Sequence, residues 1–123
     1  MKNDINYYAE KLKQEFTVPS EFINERADDI IGVVCIEHVL CFPLERMLRE
    51  DNDPDKIKKY LSFVEDMYEN GTGDIKGVVQ YYILEYLLDL YDDGIKRRLY
   101  KHLPQKLYEA AKEVEDYIKT RGF

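Results

Sequence analysis

Cys35, His38 and Cys41 recur at three-residue steps, and all three side chains can ligate a metal. Zinc needs three or four such donors converging tetrahedrally. On a single helix these three would fan in different directions, so a metal site would require further ligands and a distorted backbone. The plainer expectation is that both cysteines pack as small core residues, with His38 partly exposed. Six apart on one helix, the thiols cannot bridge each other. Two cysteines are too few for a disulfide framework, and a reducing cytoplasm is the expected setting.

Asp51, Asp53 and Asp55 alternate as calcium ligands do in an EF-hand loop. The pattern fails where it should be most restrictive: Lys56 stands at the glycine position and Ser62 where the bidentate glutamate belongs. A capped, solvated loop is the expected structure. The carboxylate pairs Glu65-Asp66 and Asp92-Asp93 could in principle supply an acid and a base, but adjacent helical residues point about 100° apart, so neither pair is a dyad. No G-x-S-x-G, P-loop, H-E-x-x-H or dinucleotide motif occurs, and His38 and His102 are the only histidines. Catalysis is not expected, and no cofactor or metal is implied.

Charge is more informative. The chain has 123 residues, a net charge of −7 and 35% charged residues, which argues against association with nucleic acid or anionic membranes and for a basic partner, if a charged one. Residues 51 to 93 hold 4 basic and 11 acidic side chains; residues 94 to 123 hold 8 and 4. The cations Lys96, Arg97, Arg98 and Lys101 are expected to answer nearby Asp92, Asp93 and Glu109. Conversely, Asp51, Asp53, Asp55, Glu65, Asp66, Glu69, Asp92 and Asp93 are candidates for an acidic surface at the ends of the two middle helices. Eleven tyrosines without a tryptophan suit contact surfaces as well as core edges. Tyr7, Tyr81, Tyr91 and Tyr100 are candidates for such contacts, with Tyr81 placed beside the acidic set. In the pairs Tyr7-Tyr8 and Tyr81-Tyr82 one ring each must leave the core.

These groups must be held by helices. The apolar run from Asp74 to Tyr91 carries Ile75, Val78, Val79, Tyr82, Ile83, Tyr86, Leu87 and Leu90 at helical spacing, with further apolar residues on its flanks. It is expected to be a central helix, covered by its neighbours, with Gly77 either permitting a close crossing or merely tolerated. Before it, Asn3 or Asp4 caps a helix through Phe16, Pro19 and Ser20 interrupt the chain near Phe22 and Ile23, and a helix opened by Asp28-Asp29 runs through 50, kinked or divided at Pro43, although the β-branched residues and local alternation of this stretch would also suit a strand. Asp53 as N-cap and Pro54 at the first position open a helix to Glu69, with Ile57, Tyr60, Leu61, Val64, Met67 and Tyr68 inward and a left-handed Asn70-Gly71 cap. Asp92-Asp93-Gly94 ends the central helix. A short basic helix from Ile95 to His102 and a last one opened by Pro104, with Leu107, Ala110 or Ala111, Val114, Tyr117 and Ile118 inward, complete the chain.

The whole chain, 1 to 123, thus reads as one all-α domain of six to seven antiparallel helices, either a bundle or a short HEAT-like stack of helix pairs. No stretch approaches the ~20 apolar residues that span a bilayer, and no export signal is evident.

The run Ile57-Lys-Lys-Tyr-Leu-Ser-Phe-Val-Glu-Asp-Met-Tyr-Glu-Asn resembles small helical bacterial proteins of the immunity type, found beside polymorphic or contact-dependent toxins. So do Asp74-Ile-Lys-Gly-Val-Val, Ile83-Leu-Glu-Tyr-Leu and Leu107-Tyr-Glu-Ala-Ala-Lys-Glu-Val-Glu-Asp-Tyr. The similarity spans roughly Asp53 to Ile118 and lies in apolar positions and helix lengths. It implies a cytoplasmic protein that occludes a cognate toxin domain, many of which are basic nucleases, without catalysis of its own. An acidic surface would speed encounter with such a target. The alternative expectation is a helical scaffold or adaptor.

Overall fold

A computed structural model of the chain describes residues 4–22, 26 and 30–121. Among them the regular structure is entirely helical. Helix α1 is Ile5–Glu15, opened by Asp4, whose carboxylate accepts the Tyr7 amide at 3.1 Å. A single 3₁₀ turn, Ser20–Phe22, follows the Pro19 break. The expected helix start at Asp28-Asp29 and the side chain of Ile23 lie outside the described residues.

Helix α2 comprises Val33–Ile36, a π-helical stretch Glu37–Cys41, and Phe42–Glu50. Pro43 neither breaks nor divides it. The helix widens just before the proline, where the Phe42 amide donates to the Glu37 carbonyl five residues back. A wide turn absorbs the missing proline N–H and the ring's clash with the preceding turn.

Helix α3, Pro54–Asn70, is regular and buries Ile57, Tyr60, Leu61, Phe63, Val64 and Met67. Tyr68, expected inward, is only partly covered. Asp53 does precede Pro54, but its side chain makes no capping bond: its backbone is left-handed, with φ 54° and ψ 58°. The expected left-handed cap at Gly71 is likewise replaced by an extended one, φ −77°. Gly71 is needed for space instead. A Cβ there would stand 2.5 Å from the Met67 carbonyl oxygen and 2.5 Å from Ile75 Cγ2, where α3 turns into α4.

Helix α4 comprises Gly73–Val78, a second π-helical stretch Val79–Leu84, and Glu85–Leu88. It ends before Tyr91, earlier than the sequence suggests. Asp92 does not simply terminate it; its carboxylate caps the next helix, α5 (Asp93–His102), by accepting the Ile95 amide at 2.9 Å. Helix α6, Gln105–Arg121, buries Leu107, Ala110, Ala111 and Val114. Pro104 sits just outside it and lends its carbonyl to the Tyr108 amide.

Helices α3 and α4 run antiparallel around one apolar core, and α4 touches α2, α3, α5 and α6. Solenoid units meet only their sequence neighbours, so the arrangement is a bundle with α4 as its axis. Not every neighbour is antiparallel. Gln80 bonds Glu113 and Tyr81 meets Tyr117, so α6 rises in the same direction as α4. Helix α1 closes over α3 through edge-on contacts of Phe16 with Tyr60 (4.8 Å) and Phe63 (5.0 Å), and through the Tyr8 hydroxyl, which donates to the Asp66 carbonyl. No charged side chain is buried in the core among the described residues.

Candidate protein-binding face

The two π-helical stretches face each other across the α2–α4 contact, and the Cys41 thiol points at the Tyr82 carbonyl, 3.9 Å away. Each π turn inserts one residue into the helical repeat. In α4 the buried residues therefore step from Val78-Val79 to Ile83-Leu84, then to Leu87-Leu88. An unbroken 3.6-residue repeat would have buried Tyr82. Instead both Tyr81 and Tyr82 leave the core, at 52% and 39% exposure. The Tyr7-Tyr8 pair behaves as expected, with Tyr8 buried and Tyr7 out.

The displaced rings organise a surface. A cleft of about 460 Å³ is lined by Ile5, Ile31, Asp74, Gly77, Tyr81 and Tyr82, among others. A second, of about 340 Å³, lies between Glu37 on α2 and Tyr81, Tyr82, Glu85 and Tyr86 on α4, with Asp89 just past its end. The clefts share Tyr81 and Tyr82. The aromatic strip continues to either side: Tyr117 lies 5.9 Å from Tyr81, Phe42 lies 5.7 Å from Tyr86, and His38 stands edge-on to Phe42 at 5.2 Å. The Tyr86 hydroxyl donates to the Glu45 carboxylate. That bond, reinforced by Arg49 and opposed by partial burial, holds Glu45 below the usual carboxylate range, while burial and Glu45 push the Tyr86 hydroxyl up. Glu45 is therefore ionised beside the strip, with the Arg49 guanidinium bound to it at 2.7 Å.

The predicted acidic residues do not form one surface. Asp51, Asp53, Asp55, Asp92 and Asp93 gather where α3 begins and α4 has ended. Arg49 bonds Asp92 at 3.3 Å there, and Arg98 reaches Asp51 at 3.8 Å as well as the carbonyls of Leu48 and Arg49. The Ile95 amide, above all, keeps the Asp92 carboxyl low. Glu65, Asp66 and Glu69 sit in the last turns of α3, and a 17-residue helix is about 25 Å long. Asp66 is bound by Lys11 at 2.6 Å and by Asn70, and Glu69 by Lys106 at 3.0 Å. Burial pushes Asp66 up, yet these hydrogen bonds win and its carboxyl is lowered. Ion pairing thus spends much of the negative charge that the sequence suggested for a partner. Of the four basic side chains, Lys96 and Arg98 are paired, but with carboxylates other than the expected ones: Glu115 at 2.9 Å and Asp51.

Tyr91 is a separate feature. It is 86% exposed, with φ 55°, a left-handed conformation uncommon for a bulky side chain. Asp51 and Asp53 adopt the same region at the same end. Tyr100, offered as a contact residue, is instead tied by its hydroxyl to Glu115 at 2.7 Å.

The cysteine–histidine set does not converge. Cys35 and Cys41 are free and buried, and burial raises their thiols to about 11 and about 12, which leaves little thiolate for nucleophilic or ligand chemistry at neutral pH. His38 is on the surface beside Phe42. Among the described residues no cluster of three His, Cys, Asp or Glu could hold a metal ion, and no helix is long and apolar enough to cross a membrane.

Fold and surface together define a small all-α domain that carries a tyrosine face beside carboxylates. By sequence the chain belongs to the family described as "Domain of unknown function (DUF7674)", whose family model matches residues 9–119. No curated protein and no solved structure matches it.

Proposed function

We propose that this chain is a protein-binding domain of the immunity type, which neutralises a cognate toxin domain in the cytoplasm by covering its working surface. The observation that carries the reading is the face on α4: Tyr81 and Tyr82 exposed side by side, continuous with Tyr86 and Phe42, and bordered by Glu37, Asp74 and Glu85. Large rings with few rotors are the side chains that give binding energy at low entropic cost. Carboxylates around them favour a basic target, such as a nuclease domain, and hasten encounter. The chain's net charge of −7 acts in the same direction.

The test is genetic. The open reading frame immediately upstream is expressed from an inducible promoter, with and without this protein. Growth arrest relieved only when the protein is present is the expected result. A harmless neighbour, or arrest that this protein does not relieve, defeats the proposal.

A further inference from the structure

Some aromatic rings at the rim of this molecule are covered by the molecule's own cations. Lys11 lies over Tyr7 at 5.8 Å, Lys76 over Tyr68 at 5.3 Å, and Lys112 over Tyr100 at 4.8 Å and Tyr108 at 5.6 Å. Tyr81 and Tyr82 are not: both are exposed, and among the described residues no lysine or arginine stands over either ring or lines either cleft beside them. Carboxylates line both clefts, Asp74 in one and Glu37 in the other.

We propose that the paired clefts sharing Tyr81 and Tyr82 receive arginine side chains from a basic segment of the protein partner. This rests on the protein-binding reading above and names what that face binds. The guanidinium is planar and weakly hydrated, so it stacks on a phenol ring and still offers its N–H fork to a carboxylate. An ammonium gives up more hydration to enter and cannot stack. Phosphate or a carboxylate ligand would meet only like charge. The clefts are open troughs at the lower end of the ~300–1,000 Å³ range of small-ligand sites, which suits protruding side chains carried on a partner's backbone.

The experiment uses a capped oligoarginine peptide as probe, with oligolysine of equal length for comparison, titrated into the full chain by calorimetry and by ¹⁵N-resolved NMR. The expected result is tighter binding of oligoarginine, with amide shifts centred on Gly77 to Tyr86 and on Glu37. Replacing Tyr81 or Tyr82 by Ala should each weaken binding about fivefold, while Tyr82→Phe, which keeps the ring, should bind as the unaltered chain does. Glu37→Gln, nearly isosteric and changing only the charge, provides a second variant, with a smaller loss that shrinks as salt rises. Equal affinity for the two peptides, unchanged affinity in the Tyr81→Ala Tyr82→Ala chain, or shifts centred on Asp51, Asp53 and Tyr91 would each overturn the assignment. The two readings fail separately. Relief of toxicity that survives the double tyrosine substitution sinks the arginine clefts and spares the immunity reading. Tyrosine-dependent oligoarginine binding without relief of toxicity does the reverse.

Discussion

Helices α3 and α4 lie side by side at the centre of the molecule, and they use tyrosine in opposite ways. Helix α3 keeps one unbroken repeat, so its apolar stripe from Ile57 to Met67 is fully inside, Tyr60 included. Its Asp66 and Glu69 are bound by lysines from α1 and α6. Helix α4 changes its repeat at Val79–Leu84, and the extra residue turns Tyr81 and Tyr82 outward over a carboxylate-lined trough. One helix is finished by the fold; the other leaves an unfinished face. A π turn trades regular hydrogen bonding for a displaced side chain, and it persists where that displacement is useful or packing compensates for it.

Truncation should separate the two helices most sharply. Leu61→Ala removes a side chain that is 1% exposed, at the centre of α3, and is expected to cost about 2–5 kcal/mol in unfolding free energy measured with urea. Tyr82→Ala in α4 removes a larger side chain from the surface and should change stability by no more than about 1 kcal/mol. Comparable losses from both would mean that the α4 ring is structural, and the contrast between the helices would collapse.

The junction between them comes next. Gly71→Ala places a methyl group against the Met67 carbonyl and Ile75, both at 2.5 Å, and should destabilise by about 1–3 kcal/mol. The effect belongs to crowding and not to backbone handedness, because Gly71 has φ −77°. Gly71→Ser should therefore be no better, whereas a left-handed glycine would have tolerated Asn.

Acid should weaken α3's attachments. The Asp66 carboxyl is lowered in the folded protein by Lys11 and Asn70 despite partial burial, and the Lys11 ammonium is raised chiefly by its bond to Asp66. A lowered carboxyl stabilises the fold above its unfolded pKa of about 3.9 and loses that contribution as pH falls through its folded value. The raised lysine contributes below about 10.4 and loses it as pH rises through its own folded value. Denaturation midpoints followed from pH 7 downward should fall below about pH 4, and Asp66→Asn should start lower at neutral pH and flatten that acid limb. An Asp66→Asn curve parallel to the unaltered one throughout would show the Lys11 pair to be ornamental.

How far the sequence could be read follows the same division. Regular periodicity made α3 and α6 legible: Ile57, Tyr60, Leu61, Val64 and Met67 were all placed inside, as were Leu107 and Val114. Tyr117 was not; it is 46% exposed beside the displaced Tyr81. The π turns escaped because a fixed 3.6-residue template absorbs a five-residue step into a broad apolar face. The step from Val78-Val79 to Ile83-Leu84 was nonetheless present to be seen. The acidic residues were found, but their neutralisation was not: Lys11, Arg49, Arg98 and Lys106 come from other helices, and ion pairs between distant segments leave no mark on local spacing. Three left-handed residues, Asp51, Asp53 and Tyr91, were also hidden, since none is glycine and the chain around Asp53-Pro54 reads equally well as an ordinary cap.

The smallest effect isolates the open face from the helix that carries it. Gly77 lies in α4 on the wall of the larger cleft, and a Cβ built there meets nothing within 4 Å. Gly77→Ala should therefore raise stability by about 0.5–1 kcal/mol, the ordinary gain from removing a helical glycine. The added methyl also narrows the trough below Tyr81. If α4 were merely an axis for packing, this substitution would improve the protein without consequence. If the trough receives a partner's side chains, the same variant should be more stable in thermal denaturation yet bind oligoarginine less tightly. A stabilised chain with unaltered binding would confine the functional surface to the smaller cleft beside Glu37 and Tyr86. Opposed changes in stability and binding at one residue would mark Gly77 as kept for access, because its backbone has no need of a glycine.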